Sequence, residues 1–289
     1  MAWHARHWMP PTGHSPLYFQ AVRSAKHAQA PSCNKGHTIP LLAVPSILNL
    51  YSVTESNQPR IALLTDDLSF PPLHESWEGL LAVGGDLSEA RLIAAYEAGV
   101  FPWYGEEDPI LWWAPEKRSI LHLEELNVSK SMRNILNRRL FEIRMDTCFE
   151  QVVRACGDIR REGEGTWISE EITEAYVALH RLGLAHSVET WHNGELVGGL
   201  YGISIGRMFF GESMFSLMNN ASKVAFIHLV QWAKKRGFGP IDCQVQNPHL
   251  ATLGAREIER AHYMEILDAY LKKHATIKGT WSPEIDPIG

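Results

Sequence analysis

The sequence predicts an α+β protein, a small amino-terminal unit followed by a larger one with a mixed, mostly antiparallel sheet flanked by helices. Three observations predict it. Residues 185–215 hold three strand-like runs separated by two tight turns, the pattern of an antiparallel meander. A long amphipathic segment, 221–236, separates the third run from a short apolar run at 241–245, the order of a strand–helix–strand crossover. Earlier, a capped helix lies among short apolar runs that end at Pro115. With 289 residues, 45% of them apolar and 21% charged, the chain has material for one large or two modest cores.

Along the chain, residues 61–64 read as a short strand. Asp86, with Glu89 three residues on, resembles a capping box. The helix it opens carries Leu92, Ala95 and Tyr96, and Gly99 ends it. Residues 101–104 (Phe-Pro-Trp-Tyr) read as an aromatic turn and 110–113 as a buried strand, with a boundary near 117 after Pro115. The second unit opens with a strand at 119–123. Ser129 caps a helix whose inner face holds Met132, Ile135 and Leu136. A strand at 141–145, a helix at 149–156, a charged loop at 158–165 and a helix at 170–182 ended by Gly183 come next. Asn193-Gly194 is the favoured two-residue turn between the first two meander strands, and Gly206-Arg207 makes the second turn. A last helix spans 262–274. The expected division is an extension over 1–58, a small α+β domain over 59–117 and a larger domain over 118–289.

Charge is uneven. Residues 1–54 contain no Asp or Glu, four Lys or Arg and five His, and show no sustained apolar period, so a poorly ordered extension is expected there. It lacks the layout of a secretory signal. No apolar run approaches the ~20 residues of a membrane helix. Four cysteines form no CxxC pair and fourteen histidines no HExxH, so no metal and no disulfide framework is assigned. This usage fits a reducing, cytoplasmic setting. A net charge of −6 excludes a uniformly basic coat but not a local basic patch.

The chemistry-bearing residues are few. On a strand, Asp242 and Gln244 share one face and Cys243 the other. Such a polar pair is costly in a core unless its members bond each other, the backbone or a ligand. Glu212 is expected on the same strand face as Phe210 and Met214. Each acid alone has a structural explanation, a satisfied pair or an edge residue. Two acids in adjacent apolar strands point to a site, because perturbed carboxylates cluster there. Trp103 and Trp167 sit at turn and helix-entry positions, where an aromatic can stack on an unpaired base, whereas Trp112 and Trp113 read as core. Lys130, Arg133, Arg138 and Arg139 line the helix begun at Ser129. In an acidic protein this run is the candidate phosphate contact, against the ordinary reading of a solvated face. Gly84-Gly85 and Gly198-Gly199 match no nucleotide loop; a turn and a close strand contact account for them.

The order of 208–245 is that of the acyltransferase fold typified by the coenzyme A-dependent N-acetyltransferases (GNAT-like). The glycine-rich turn that cradles a pyrophosphate is missing, since Ser216-Leu217-Met218-Asn219-Asn220 stands there. From about residue 68 to 271 the chain resembles the leucyl/phenylalanyl-tRNA–protein transferases. The stretches that carry the resemblance are LLAVGGDLS, GVFPW, DPILWWAP, EGTWI, AHSVE, LVGGLYG, FFGESMFS, NASK and IDCQVQN. The resemblance implies transfer of Leu, Phe or Met from aminoacyl-tRNA to proteins beginning with Arg or Lys, marking them for degradation, with no cofactor and no membrane. It implies Asp242 and Gln244 as the catalytic pair; if Asp242 fixes Gln244 and Gln244 positions the amine, Glu212 is the carboxylate expected toward the acceptor's cationic end. Trp103, Trp167, Tyr96, Tyr176 and Asn247 would lie about the adenosine and aminoacyl group, with Phe209, Met214, Leu200 and Leu229 around the transferred side chain. The rivals are a coenzyme A-dependent N-acetyltransferase and a non-catalytic tRNA- or peptide-binding module.

Overall fold

A computed structural model describes residues 61–106, 108–161 and 166–281; the expected extension over 1–58 lies outside them. Strand pairing sorts these residues into two sheets. β1 (Ala62–Leu64), β2 (Leu80–Gly84), β3 (Phe101–Pro102) and β4 (Leu111–Trp113) form a four-stranded sheet in the order β1-β2-β4-β3. Phe101-Pro102, expected as a turn, is a strand because it pairs with Trp113 and Trp112. α1 (Glu89–Glu97) connects β2 to β3. Its cap is Ser88, whose Oγ accepts from the Arg91 N–H, so the expected capping box from Asp86 does not form. Asp86 instead accepts from the Ser88 N–H and from Arg91 Nε. Gly99 ends the helix at φ +77°, where a residue without Cβ is favoured.

The second sheet has seven strands: β5 (Lys117–Leu121), β6 (Glu142–Met145), β7 (Ala185–His192), β8 (Glu195–Ile205), β9 (Met208–Ser216), β10 (Ile241–Gln244) and β11 (Arg256–Glu259). Their order is β11-β5-β10-β9-β8-β7-β6. β9 and β10 are parallel, and the other pairs antiparallel. The sheet is therefore mixed and mostly antiparallel, as expected. Asn193 and Gly194, at φ +51° and +81°, make the expected hairpin turn. The remaining helices are α2 (Lys130–Asn137), α3 (Phe149–Arg161), α4 (Glu170–Arg181), α5 (Ala221–Lys235), α6 (Pro248–Ala251) and α7 (Arg260–Leu271). α5 is the crossover between β9 and β10. α3 runs on through Asp158 to Arg161, where a loop was expected, because charged residues suit an amphipathic helix as well as a loop. β11 buries only Ile258 and so offered no apolar run.

Two apolar clusters result. One gathers the first sheet and α1 with Tyr176, Tyr201, Phe210 and Tyr263. The other gathers α5 with Leu200, Phe209, Met214, Ile241 and Cys243. Gly198 lets the start of α5 approach β8: a Cβ there would lie 2.5 Å from the Ala221 Cβ. Gly198→Ala is therefore expected to cost about 1–3 kcal/mol, as overpacking does. Chemical unfolding measures it, and an unchanged midpoint would show that α5 shifts freely.

Candidate active site

The two parallel strands pair only briefly. Ile241 faces Phe209 and Asp242 faces Phe210, and there the β9–β10 register ends. Just beyond, both strands are irregular. In β10 the pairing with β5 shifts between Asp242 and Gln244, and Gln244 sits at φ +61°, a left-handed conformation unusual for a side chain of its size. In β9, Ser213 faces Tyr201 and Gly211 faces Gly202, so Glu212 is the extra residue of a bulge. Gly202 makes room for it, since a Cβ there would meet the Phe210 carbonyl oxygen at 2.1 Å. The side chains of Gln244 and Glu212 meet: Gln244 Nε2 donates to Glu212 Oε1 over 2.8 Å.

The bulge also corrects the expected strand faces. Strict alternation would put Phe210, Glu212 and Met214 together. Instead Phe210 packs in the first core and Met214 in the second. Asp242 and Gln244 do share the side of the first core, with Cys243 in the second, through the partners described next.

Asp242 is fully buried and heavily bonded. Arg118 Nε lies 2.9 and 3.1 Å from its two oxygens, and Arg118 Nη2 donates to Oδ2 over 2.7 Å. The Tyr263 hydroxyl donates to Oδ2 over 2.7 Å, and the Gln244 main-chain N–H to Oδ1 over 2.8 Å. Asp242 thus fixes Gln244 by its backbone. Arg118 is itself buried between the Phe101 and Tyr263 rings, 4.5 and 4.7 Å from their centroids, and its Nη1 donates to the Gly99 carbonyl. Burial disfavours its charge, but Asp242 and Tyr263 outweigh that and hold its pKa above the ordinary value. Neither Arg118 nor Tyr263 was singled out from sequence. The available signal was electrostatic: a buried Asp242 requires a cation, and Arg118 stands on the neighbouring strand, diagonal to the Ile120–Asp242 pair.

Glu212 also accepts from the Tyr96 hydroxyl on Oε1 and the Tyr176 hydroxyl on Oε2, over 2.7 and 3.0 Å, and the two hydroxyls lie 2.7 Å apart. Tyr96 comes from α1 and Tyr176 from α4, so Glu212 joins three elements. Burial pushes its carboxyl up to about 7, against the pull of the three donors, and the Asp242 charge adds to the rise. Both tyrosines are raised well above the ordinary value, burial first and Glu212 second. Gln244 Oε1 is buried without a donor.

The other expected residues fall into separate places. Trp103 and Trp167 are buried in the first core, not at loosely packed positions, and Trp113 Nε1 donates to the Trp103 carbonyl. Leu200, Phe209, Met214 and Leu229 do gather, in the second core under α5. Asn247 Oδ1 accepts from the His249 N–H and caps α6. Lys130 and Arg133 are exposed on α2; that helix ends at Asn137, so Arg138 is its cap and Arg139, at φ +49°, stands beyond it, both exposed. At the start of α5 three backbone donors are taken. Ala221 N–H bonds the Met218 carbonyl, Ser222 N–H the Ser216 hydroxyl and Val224 N–H the Asn220 carbonyl. These three are therefore not offered to a pyrophosphate. Among the described residues no His, Cys, Asp and Glu group is suited to a metal, and no helix is long and apolar enough to cross a membrane.

Comparison with known proteins gives consistent matches. Residues 120–268 match a family model described as leucyl/phenylalanyl-tRNA protein transferase, and residues 85–116 match the one for the amino-terminal domain of that family. The leucyl/phenylalanyl-tRNA–protein transferase of Nitrosospira multiformis is 55% identical over 210 residues, covering 72% of this chain and 90% of that protein. The same-named protein of Flavobacterium johnsoniae is 53% identical over 206 residues, covering 71% and 97%.

The raised carboxyl has a consequence for stability. Glu212 binds a proton more tightly folded than unfolded, so its contribution is complete below about 4.5 and is lost as pH rises through about 7. Glu212→Gln removes that dependence. Relative to wild type it is expected to gain about 3 kcal/mol between those limits, at about 1.4 kcal/mol per pH unit. Unfolding midpoints at acid and neutral pH measure the difference, and a pH-independent gap would refute the raised pKa.

Proposed function

Because the chain belongs to the leucyl/phenylalanyl-tRNA–protein transferase family, we propose that this aminoacyltransferase moves Leu, Phe or Met from aminoacyl-tRNA to proteins whose first residue is Arg or Lys, marking them for degradation. The α-amino group of the acceptor attacks the carbonyl of the ester that joins the amino acid to the tRNA 3′ end. That ester is already activated, so the enzyme's task is to orient two substrates, manage the amine's protons and stabilise an oxyanion. The observation that carries this reading is Gln244 Oε1, a buried acceptor with no donor beside the Glu212 carboxyl. An attacking amine supplies the missing N–H. Asp242 holds Gln244 in place, and Glu212 faces the cationic end of the acceptor.

In this reading the apolar group of Leu200, Phe209, Met214 and Leu229 receives the transferred side chain, and Asn247 borders the aminoacyl group. The terminal adenosine lies against Trp103 and Trp167, near Tyr96 and Tyr176. Both tryptophans are already packed, so stacking on them entails a local rearrangement. Lys130, Arg133, Arg138 and Arg139 meet the tRNA phosphates. In the same reading the chain divides into two domains, 59–117 and 118–289, with Arg118 at their junction. The bonded start of α5 argues against coenzyme A as the acyl donor.

Incubation with radiolabelled Leu-tRNA and an Arg-starting peptide is expected to place label on the peptide; label that stays on the tRNA contradicts the reading. Gln244→Asn keeps a residue that tolerates the left-handed backbone but shortens its reach to Glu212. Its single-turnover rate should fall about 10²-fold or more with tRNA affinity and melting temperature near wild type. A normal rate would remove Gln244 from the chemistry. Replacing Lys130, Arg133, Arg138 and Arg139 together should weaken every aminoacyl-tRNA alike and flatten the salt dependence of binding. An unchanged salt slope would put the tRNA on another face.

A further inference from the structure

We propose that Glu212 is the proton carrier of the transfer, taking the first proton from the attacking amine, and that Tyr96 and Tyr176 are positioning residues that hold its carboxyl in both protonation states. This rests on the reaction proposed above.

Tyr96, Tyr176 and Glu212 close a ring of three oxygen–oxygen contacts, at 2.7, 2.7 and 3.0 Å. Each contact needs one proton between its oxygens. The two tyrosines supply two, because neither hydroxyl ionises near neutrality in this setting. The third must come from Glu212. With an ionised Glu212, one edge is left as two oxygens facing each other without a hydrogen. A neutral carboxyl completes the ring, donating to one tyrosine and accepting from the other. An ionised carboxylate takes both hydroxyl protons and the Gln244 amide proton, and its cost is the bare Tyr96–Tyr176 edge, so the same three residues hold the carboxyl in either state.

Asp242 is unsuited to the same task. It already accepts from Arg118, Tyr263 and the Gln244 backbone, and these donors occupy both its oxygens. Around Glu212, burial and the Asp242 charge favour a held proton, and the three donors oppose it. α1 and α4 present the neutral Tyr96 and Tyr176, and β8 presents Tyr201. β10 presents Asp242, whose charge disfavours a second one, and the neutral Gln244. Behind Asp242, the Arg118 donors go to Asp242 and the Gly99 carbonyl, and the Tyr263 hydroxyl goes to Asp242.

The acceptor's ammonium gives one proton to the Glu212 carboxylate and becomes a neutral amine. The amine nitrogen bonds to the ester carbon, and the carbon–oxygen bond to the ribose breaks. Glu212 returns its proton to the departing ribose oxygen. The second proton lost by the nitrogen on becoming an amide passes to water.

Single-turnover rates at saturating aminoacyl-tRNA and peptide, followed across neutral pH, test this. In wild type the rate should rise through about 7 as Glu212 ionises. Glu212→Gln should lose about 10²–10⁴-fold in rate together with that limb. Tyr96→Phe and Tyr176→Phe each remove a donor that favours the carboxylate, so each should move the limb to higher pH. The acceptor's own α-amine titrates at about 7.7–8.0, and its limb does not respond to a tyrosine substitution. A Glu212→Gln enzyme with the wild-type rate and limb overturns the proposal, as does a limb unmoved in both tyrosine variants. The tyrosine variants decide alone if Glu212→Gln fails to fold. Wild-type enzyme that labels no peptide instead overturns the reaction assignment itself.

Discussion

The buried ion pair between Arg118 and Asp242 is the contact on which the rest of the site depends. Two charges removed from water cost several kcal/mol each unless their hydrogen-bonding capacity is filled. Here it is filled on the acid by Arg118, Tyr263 and the Gln244 N–H. The guanidinium is further held between two aromatic faces and against the Gly99 carbonyl. Because Gly99 and Phe101 belong to the first sheet's part of the chain, the pair ties that part to β10. Deleting one partner would leave the other charge buried alone, which typically costs 3–5 kcal/mol, about the size of a marginal stability.

From that anchor the site is built out of irregularities. A regular β9–β10 ladder would point Glu212 and Gln244 along fixed, alternating directions and keep their strands paired. Two bulges end the ladder after Asp242 and Phe210 and turn the two side chains toward each other. The left-handed Gln244 and the desolvated Glu212 are both unfavourable locally and persist because neighbours fix them. Stability is given up at the same atoms to which the proposed chemistry is assigned.

Sequence periodicity revealed much of the frame. The Asn193-Gly194 hairpin, the crossover by α5 and the caps at Ser129 and Gly99 follow from local rules that the tertiary structure does not override. The bulges were illegible, because an alternating pattern carries no mark of an inserted residue; for that reason Met214 was expected beside Glu212. Arg118 was hidden by standing one residue before the strand expected at 119–123. Pattern also does not separate the buried acid proposed to act in the reaction from a structural one. Glu189 is as buried as Glu212, yet it accepts from the Thr147 N–H and hydroxyl at the start of α3 and serves that helix. Only the partners tell the two apart.

The central claim is that Arg118 and Asp242 act on the reaction by holding Gln244 against Glu212. A double-mutant cycle in single-turnover rate measures this most directly. Arg118→Lys keeps the charge and loses the planar fork, so it should slow transfer in the wild-type background. In a Gln244→Asn background the same change should slow it little further, because parts of one unit do not add. If instead the two losses multiply, Arg118 acts independently of Gln244 and the account of the site is wrong.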